Sequence, residues 1–134
     1  MLKDIPNYKV EDVALAVVQE KNEKKENIWN VYLINLKGKK IESVLVTSKG
    51  YGSIDGEEVK TSTLRHFLED VPGHTFAKVE PIIDNLFGIH NEYWISFFLD
   101  GVMYDKKYVF LAESIKEEHL VSIPLMHKKG VMIL

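Results

Sequence analysis

The alternation of hydrophobic and polar residues is most regular around an Asp-Gly pair at positions 100 and 101. Two segments rich in aromatic and β-branched residues flank this pair, as strands flank a tight turn. Because Asp and Gly tolerate the positive φ angles of a type I′ turn, the pattern predicts a β-hairpin over residues 92–112. We expect this hairpin to form the middle of an antiparallel sheet. Its predicted register pairs Leu99 with Val102, Phe97 with Tyr104 and Ile95 with Lys106.

The two faces of this hairpin differ in polarity. Successive side chains of a strand point to opposite faces, so Ile95 and Phe97 share one face, which we assign to the core. The other face carries Trp94, Phe98 and Met103. Because large aromatic side chains are usually buried, the favoured interpretation places a helix over this second face. Left uncovered, the same three side chains would form a binding surface.

Three further strands are predicted in the first third of the chain. The run Val13–Val18 is apolar at every position, which indicates a strand over residues 10–19 that is buried on both faces. Residues 28–36 and 41–48 follow as two more strands, and the three segments are expected to form a meander. Shorter extended segments are predicted at residues 75–79, 121–125 and 130–134.

Three stretches between these strands are less regular. Residues 49–58 contain three glycines and are predicted to be a mobile surface loop. Residues 61–71 fit either a strand or a helix, and the Pro-Gly turn that follows them favours the strand. Residues 80–88 are the clearest helix, because Pro81 suits a first turn and four apolar residues after it are spaced as a stripe.

Length and composition are those of one globular domain, residues 1–134. The hydrophobic fraction of 46% is sufficient for a single core without covalent cross-links. Taken together, the elements predict an α+β fold. We expect a mostly antiparallel sheet of about six or seven strands with one main helix, at residues 80–88.

Charge and residue usage narrow the classes of function. The chain has no cysteine, which excludes disulfides and thiolate metal sites and suits a reducing compartment. No signal sequence and no apolar stretch of bilayer length is visible, so a cytoplasmic location without membrane association is predicted. The net charge is −3, and Arg65 is the only arginine. Nucleic acid is therefore not favoured as a partner, because phosphate and base recognition relies on arginine.

Four residues of metal-ligating type lie close together in the sequence: His66, Glu69, Asp70 and His74. A catalytic zinc needs three protein ligands and an open position, and His66 and Asp70 would share one face of a helix. The His-Glu-x-x-His spacing is absent, however, and Pro72-Gly73 separates His74 from any helix. A solvated polar face is therefore favoured over a metal-dependent enzyme, and no cofactor is implied.

Other catalytic patterns are also missing. The segment Gly50-Tyr51-Gly52 is similar to a phosphate-binding loop, but Lys49 precedes the glycines and the spacing of neither the P-loop nor the dinucleotide motif is met. No serine lies in a Gly-x-Ser-x-Gly turn, and no Ser–His–acid set can be assigned. The sequence thus leans away from an enzyme.

Several stretches resemble those of a small family of uncharacterised bacterial proteins of this length, and the resemblance covers nearly the whole chain. Some members of that family carry a label that links them to the phenylalanyl-tRNA synthetase β-subunit. The true β-subunits are several-fold longer and modular, and no stretch here matches their motifs. The resemblance implies at most a relative of one noncatalytic module and transfers no functional residue. The stretches that carry it are Lys49–Gly56, Thr63–Leu68, Asn91–Phe97 and Tyr104–Phe110.

These observations favour a noncatalytic binding or interaction module. Its partner would be another protein or a second copy of the chain in a homodimer. The alternative is a tRNA- or synthetase-associated module, which would need a stripe of lysines and an aromatic side chain for stacking. The predicted contact surface consists of Lys49, Tyr51, Asp55, Arg65 and Trp94. The alternative stripe would consist of Lys37, Lys39, Lys40 and Lys49, with Tyr51 beside it.

Overall fold

Ten strands and two single-turn 3₁₀ helices form the protein in a computed structural model that describes residues 8–134. The helical turns span Asp84–Leu86 and Glu117–His119. The fold is therefore nearly all-β, and the prediction of an α+β fold with one main helix is wrong. No helix in this range has the length and apolar character needed to cross a membrane. The strands are β1 (Val13–Lys21), β2 (Asn27–Asn35), β3 (Ile41–Ile54), β4 (Glu57–Lys60), β5 (Leu64–Val71), β6 (Thr75–Ile82), β7 (His90–Leu99), β8 (Val102–Phe110), β9 (Val121–Ile123) and β10 (Lys128–Ile133).

The strands pair into two antiparallel sheets of five strands each. The order in the first sheet is β6-β2-β1-β10-β9. In the second sheet the long strand β3 pairs with β7 along one edge, and β7 pairs with β8. Along its other edge β3 pairs first with β5 and then with β4. The antiparallel pairing is confirmed, but it builds two sheets instead of one sheet of six or seven strands.

The core lies where the inner faces of the two sheets meet. Inward-facing residues of β1, β2, β3, β7 and β8 form one buried cluster. Strand β1 is buried on both faces, as predicted. Leu15 enters this core, whereas Ala14 and Ala16 belong to a second cluster on the outer side of the first sheet, with Ile123 and Met126. This two-sided burial explains the continuous apolar run in β1.

The chain crosses from the first sheet to the second between β2 and β3. Strands β1 and β2 pair along their whole lengths, but β3 does not pair with β2, so the predicted three-stranded meander is wrong. The buried side chain of Asn35 stabilises the segment between β2 and β3 through hydrogen bonds to backbone carbonyl groups. Its Nδ2 lies 2.8 Å from the carbonyl oxygen of Lys39 and 3.2 and 3.1 Å from those of Val71 and Pro72. These bonds fix the turn, because a buried amide without partners is costly.

The hairpin at Asp100-Gly101 is confirmed. Both turn residues have positive φ, 52° and 76°, as a type I′ turn requires. The hairpin does not lie in the middle of its sheet, however. Strand β8 is an edge strand, and β3 takes the central position. The observed pairs are Leu99 with Val102, Phe97 with Tyr104 and Ile95 with Lys106, as predicted.

Residues 49–58 form a second hairpin, so the prediction of a mobile loop is wrong. Strand β3 continues through Gly50 and Gly52, and a turn at Asp55-Gly56 leads into β4. A Cβ atom at Gly50 would lie 2.9 Å from Cδ1 of Ile89, and one at Gly52 would lie 3.2 Å from its Cβ. The two glycines therefore allow Ile89 to pack closely against the strand.

The helix predicted at residues 80–88 does not form. Strand β6 continues to Ile82, which pairs with Trp29 of β2, and Pro81 is tolerated because β6 is an edge strand. The apolar stripe is divided, since Ile82 is buried whereas Ile83 is 61% exposed. Residues 61–71 follow the favoured interpretation, because strand β5 occupies most of that stretch.

On the outer side of the first sheet, the Glu20 carboxylate joins three strands. It accepts hydrogen bonds from Asn30 Nδ2 at 2.8 Å and from the Tyr32 hydroxyl at 2.7 Å, and it forms an ion pair with Lys128 of β10. Burial by itself raises the pKa of Glu20, but the hydrogen bonds from Lys128, Tyr32 and Asn30 outweigh burial and lower the pKa overall. Burial and then the bond to Glu20 raise the pKa of Tyr32 to about 12.

We expect Glu20→Gln to lower the free energy of unfolding by roughly 1–2 kcal/mol near neutral pH, because the amide loses charge-assisted hydrogen bonds. The pKa of Glu20 is lower in the folded chain than in the unfolded chain. Its contribution is therefore present above the unfolded-state pKa and is lost as the pH falls through the folded-state pKa. Urea unfolding should be measured at neutral pH and at about pH 3. The difference in free energy of unfolding between the variant and the wild type should be smaller at about pH 3. A difference that stays constant would contradict this account.

Gly130 permits the close approach of β10 to β1. A Cβ atom at this position would lie 2.4 Å from the carbonyl oxygen of Val17. We expect Gly130→Ala to lower the free energy of unfolding by roughly 1–3 kcal/mol, because the backbone must shift. The matched control is Gly88→Ala, whose Cβ would have Glu113 Oε1 as its nearest atom, at 3.6 Å. Equal losses in the two variants, measured by urea unfolding, would rule out the steric explanation.

Candidate functional site

The outer face of the second sheet is the first candidate site. Directly paired residues of antiparallel strands share a face. Thr47 of β3 pairs with Arg65 of β5 and with Trp94 of β7, and Trp94 pairs with Lys107 of β8. These four residues therefore form one row across four strands. We call this surface the Trp94 face, and its large apolar members are Phe67, Trp94, Phe98 and Met103.

The apolar side chains of the Trp94 face are open to solvent. Phe67 is 62% exposed, Met103 55%, Trp94 45% and Phe98 42%. The prediction that a helix covers Trp94, Phe98 and Met103 is therefore wrong. An exposed group of large apolar side chains on one sheet face is typical of an interaction site.

Charged groups are arranged unequally around Trp94. The Glu92 carboxylate accepts a hydrogen bond from the Tyr51 hydroxyl at 3.2 Å and lies 3.7 Å from Lys49 Nζ and 4.0 Å from Lys107 Nζ. Burial and then the bond to Glu92 raise the pKa of Tyr51. Arg65 forms no ion pair with any residue in the range 8–134. Within the described residues, the face thus presents a guanidinium without an ion-pair partner in the same row as Trp94.

Four of the five residues predicted for the contact surface lie on this face. Arg65 and Trp94 flank Thr47, and Lys49 and Tyr51 continue the same side of β3. Asp55 does not join them, because it lies in the turn between β3 and β4. The structure therefore places these four residues on one face, with Lys49 and Tyr51 in strand β3 instead of a loop, and their contact with a partner stays a prediction.

The lysines of the alternative nucleic-acid surface are largely engaged with carboxylates. Lys39 Nζ lies 3.0 Å from Asp100, Lys40 Nζ lies 3.8 Å from Asp70, and Lys49 pairs with Glu92. Such pairing reduces the number of cations that are available to phosphates.

The residues weighed as metal ligands are dispersed. The part of the chain from residue 8 to 134 holds no group of three or more His, Asp or Glu side chains that could bind a metal ion. His66 bonds to Glu80, Asp70 accepts a hydrogen bond from the Ser43 N–H at 3.0 Å, and His74 lies in the turn after β5. The spacing that suggested a shared helical face fails in a strand, where residues four apart are separated by about 13 Å.

A cavity on the inner side of the second sheet is the second candidate site. Its volume is about 390 Å³, and strands β3, β5, β6 and β7 line it together with the segment after β6. We call it the Glu80 cavity. The apolar part of its wall consists of Leu64, Pro81, Ile82, Ile83 and Leu86, and the polar part includes Ser48, His66, Glu80 and Tyr93.

Three side chains converge on the carboxylate of Glu80. Its Oε1 accepts hydrogen bonds from the Ser48 hydroxyl at 2.8 Å and from His66 Nε2 at 2.6 Å. Its Oε2 accepts a hydrogen bond from the Tyr93 hydroxyl at 3.0 Å. Because a carboxylate only accepts hydrogen bonds, Nε2 of His66 carries the proton in this arrangement.

This arrangement suits binding better than nucleophilic catalysis. Ser48 and His66 both bond to the same carboxylate oxygen, so the serine hydroxyl does not donate to the imidazole, as an activated nucleophile would. Burial, and then the charge of Glu80, raise the pKa of Tyr93 far above its ordinary value, so its hydroxyl remains a donor. The cluster therefore holds a carboxylate in a fixed orientation.

The Glu80 cavity was not predicted from the sequence. Glu80 was assigned to the first turn of a helix, and Ser48 and Tyr93 stood in strands without any catalytic spacing. The sequence signal for this cavity would have been a charged residue, Glu80, at a strand position that faces the core. That position becomes visible only when the pairing of β6 with β2 is known.

No protein-family model matches this chain, and no curated protein matches it at a significant level of similarity. The fold and the two sites define a nearly all-β protein of two facing sheets, with exposed large apolar side chains on an outer face and, on the other side of that sheet, a cavity with an apolar wall and one polar end. The resemblance to the small bacterial family stays a prediction.

We expect Tyr93→Phe to lower the free energy of unfolding by roughly 1–3 kcal/mol, because the half-buried carboxylate of Glu80 loses a donor that is itself buried. Tyr51→Phe is the matched control, since its hydroxyl also bonds to a carboxylate but lies nearer the surface. The control should cost no more than about 0.5 kcal/mol. Urea unfolding of both variants measures the two losses in free energy of unfolding. Similar losses would show that the hydrogen bond of Tyr93 stabilises the fold no more than the hydrogen bond of Tyr51 does.

Proposed function

We propose that this protein is a noncatalytic interaction module that binds a segment of another protein on the Trp94 face. The observation that supports this most directly is the exposure of Phe67, Trp94, Phe98 and Met103 on one side of a sheet. Large uncovered apolar patches on soluble domains are usually interaction sites. Tryptophan and arginine are also the residues that most often dominate the energy of an interface.

The chemistry of the face favours a partner that presents a large apolar side chain next to a carboxylate. A depression of about 360 Å³ lies beside Trp94 and is lined by Thr47, Lys49, Thr63 and Glu92. Trp94 supplies the aromatic wall of this depression, against which one apolar side chain of the partner can pack. Arg65, in the same row, can hold a carboxylate in the bidentate geometry of the guanidinium group. Glu92 already interacts with two lysines, so a cationic partner gains little there.

Two further observations support a noncatalytic role. The polar residues of the Glu80 cavity bond to one carboxylate and do not form a nucleophile–base pair. Within residues 8–134, His66, Glu69, Asp70 and His74 do not form a group of three or more side chains that could bind a metal ion. A cytoplasmic location belongs to the same proposal, because a chain without cysteine suits a reducing compartment.

A random peptide library displayed on phage offers a probe of defined chemistry. We expect the wild-type protein to enrich peptides in which Asp or Glu stands next to an aromatic or large aliphatic residue. Trp94→Ala should weaken the binding of a selected synthetic peptide by at least about tenfold, as expected for the centre of an interface. Arg65→Glu should shift the enrichment from acidic to basic peptides. Fluorescence anisotropy with labelled peptides measures both effects.

The control variant is Val121→Ala, which alters an exposed residue of β9 at the edge of the first sheet. Its peptide affinity should equal that of the wild type. Continued enrichment of acidic peptides by Arg65→Glu would refute the role of the arginine. Analytical ultracentrifugation of the protein alone would show whether a second copy of the chain occupies the Trp94 face instead. Self-association that Trp94→Asp abolishes would assign the face to a second copy of the chain and overturn the proposed partner.

A further inference from the structure

The Glu80 cavity carries chemistry that an interaction through the Trp94 face does not use. The two sites lie on opposite sides of the second sheet. Ser48 and Tyr93 point inward, whereas the adjacent residues Thr47 and Trp94 point outward. A ligand in the cavity therefore occupies a separate site.

The wall of the cavity suits a hydrocarbon group. Leu64 and Ile83 stand at its rim, 49% and 61% exposed, and Ile82 and Leu86 lie deeper. Its volume of about 390 Å³ falls within the range of small-molecule sites, about 300–1,000 Å³. The combination of an apolar wall and a few convergent polar groups is typical of such sites.

Two of the four side chains at the polar end of the cavity are buried, and Glu80 and His66 are half-buried. Ser48 is 5% exposed and Tyr93 is 1% exposed, and both donate to Glu80. An ionised carboxylate accepts about four hydrogen bonds, and three are present here, so Oε2 of Glu80 retains capacity for another donor. The second ring nitrogen of His66, Nδ1, makes no hydrogen bond to any residue from 8 to 134.

The negative charge of Glu80 at the polar end of the cavity determines which polar group of a ligand can bind there. Besides Glu80, the Asp, Glu, Lys and Arg residues of the lining are represented by Lys49 alone, whose ammonium group pairs with Glu92 on the outer face. A ligand carboxylate would bring a second negative charge close to Glu80, which is unfavourable at low dielectric. An ammonium group would instead donate to Oε2 and offset the carboxylate charge.

We infer that the Glu80 cavity binds a small primary amine with an aromatic or branched aliphatic body. The ammonium group donates a hydrogen bond to Oε2 of Glu80. The hydrocarbon body packs against Leu64, Ile82 and Leu86 and displaces water from this wall.

Three probes that share a phenyl ring and differ in their polar group test the inference. They are benzylamine, benzyl alcohol and benzoate. Each is titrated into the isotopically labelled full chain while the backbone amide signals are followed by NMR. We expect benzylamine to shift the amides of Ser48, His66 and Tyr93 in a saturable way, at least about tenfold more tightly than benzyl alcohol. Benzoate should give no saturable shift. Binding of benzoate or benzyl alcohol as tight as that of benzylamine would overturn the inference.

Two variants test separately the contact of the ammonium group and the contact of the hydrocarbon group. Glu80→Gln keeps an oxygen acceptor for Ser48 and His66, and it should remove the preference for benzylamine over benzyl alcohol. Leu64→Trp should block the rim and abolish the binding of both probes, and Val121→Ala should change neither. Preference for benzylamine that persists in Glu80→Gln, or binding that persists in Leu64→Trp, would refute the assigned site.

The spectra also report the fold of each variant. Because Leu64 lies at the exposed rim, Leu64→Trp keeps the inference testable even if Glu80→Gln fails to fold. None of these measurements involves the Trp94 face, so failure here leaves the proposed interaction with a protein partner untouched.

Discussion

The pairing of β3 along both of its edges is the constraint on which the other features of the second sheet depend. Strands β5 and β4 hold one edge and β7 holds the other, so the direction of every side chain on β3 is determined. Thr47 points to the Trp94 face, and the next residue, Ser48, bonds to Glu80 in the cavity. A shift of one residue in register would exchange the two faces. Gly50 and Gly52 preserve this register by admitting Ile89.

The half-buried carboxylate of Glu80 connects the two sheets. Its strand, β6, belongs to the first sheet, whereas Ser48, His66 and Tyr93 come from three strands of the second. Removing a carboxylate from water is costly unless hydrogen bonds compensate, and here three donors do so. We interpret the cluster as a device that orients the sheets relative to each other. It also leaves one carboxylate oxygen with room for a ligand.

The local pattern of the sequence determined the features that depend on neighbouring residues. Asp100-Gly101 indicated a hairpin and its register, because turn geometry is set by two residues and alternation by the strands beside them. The apolar run from Val13 to Val18 indicated burial on both faces of β1. Lys49, Tyr51, Arg65 and Trp94, which the sequence predicts as one contact surface, lie on the same face of the second sheet, and their contact with a partner stays a prediction.

Only the tertiary structure decided which strands pair and what each face meets. The apolar residues of segment 80–88 have a spacing that fits a helix, but the pairing of Ile82 with Trp29 extends strand β6 to Ile82 instead. The Glu80 cluster joins residues 32, 14 and 13 positions apart in the chain, and no short window contains them together. Trp94 is likewise exposed because no helix or strand of residues 8–134 covers it, and hydrophobicity alone does not report this. The physical reason is that alternation specifies two faces for every strand, whereas burial depends on contacts with distant parts of the chain.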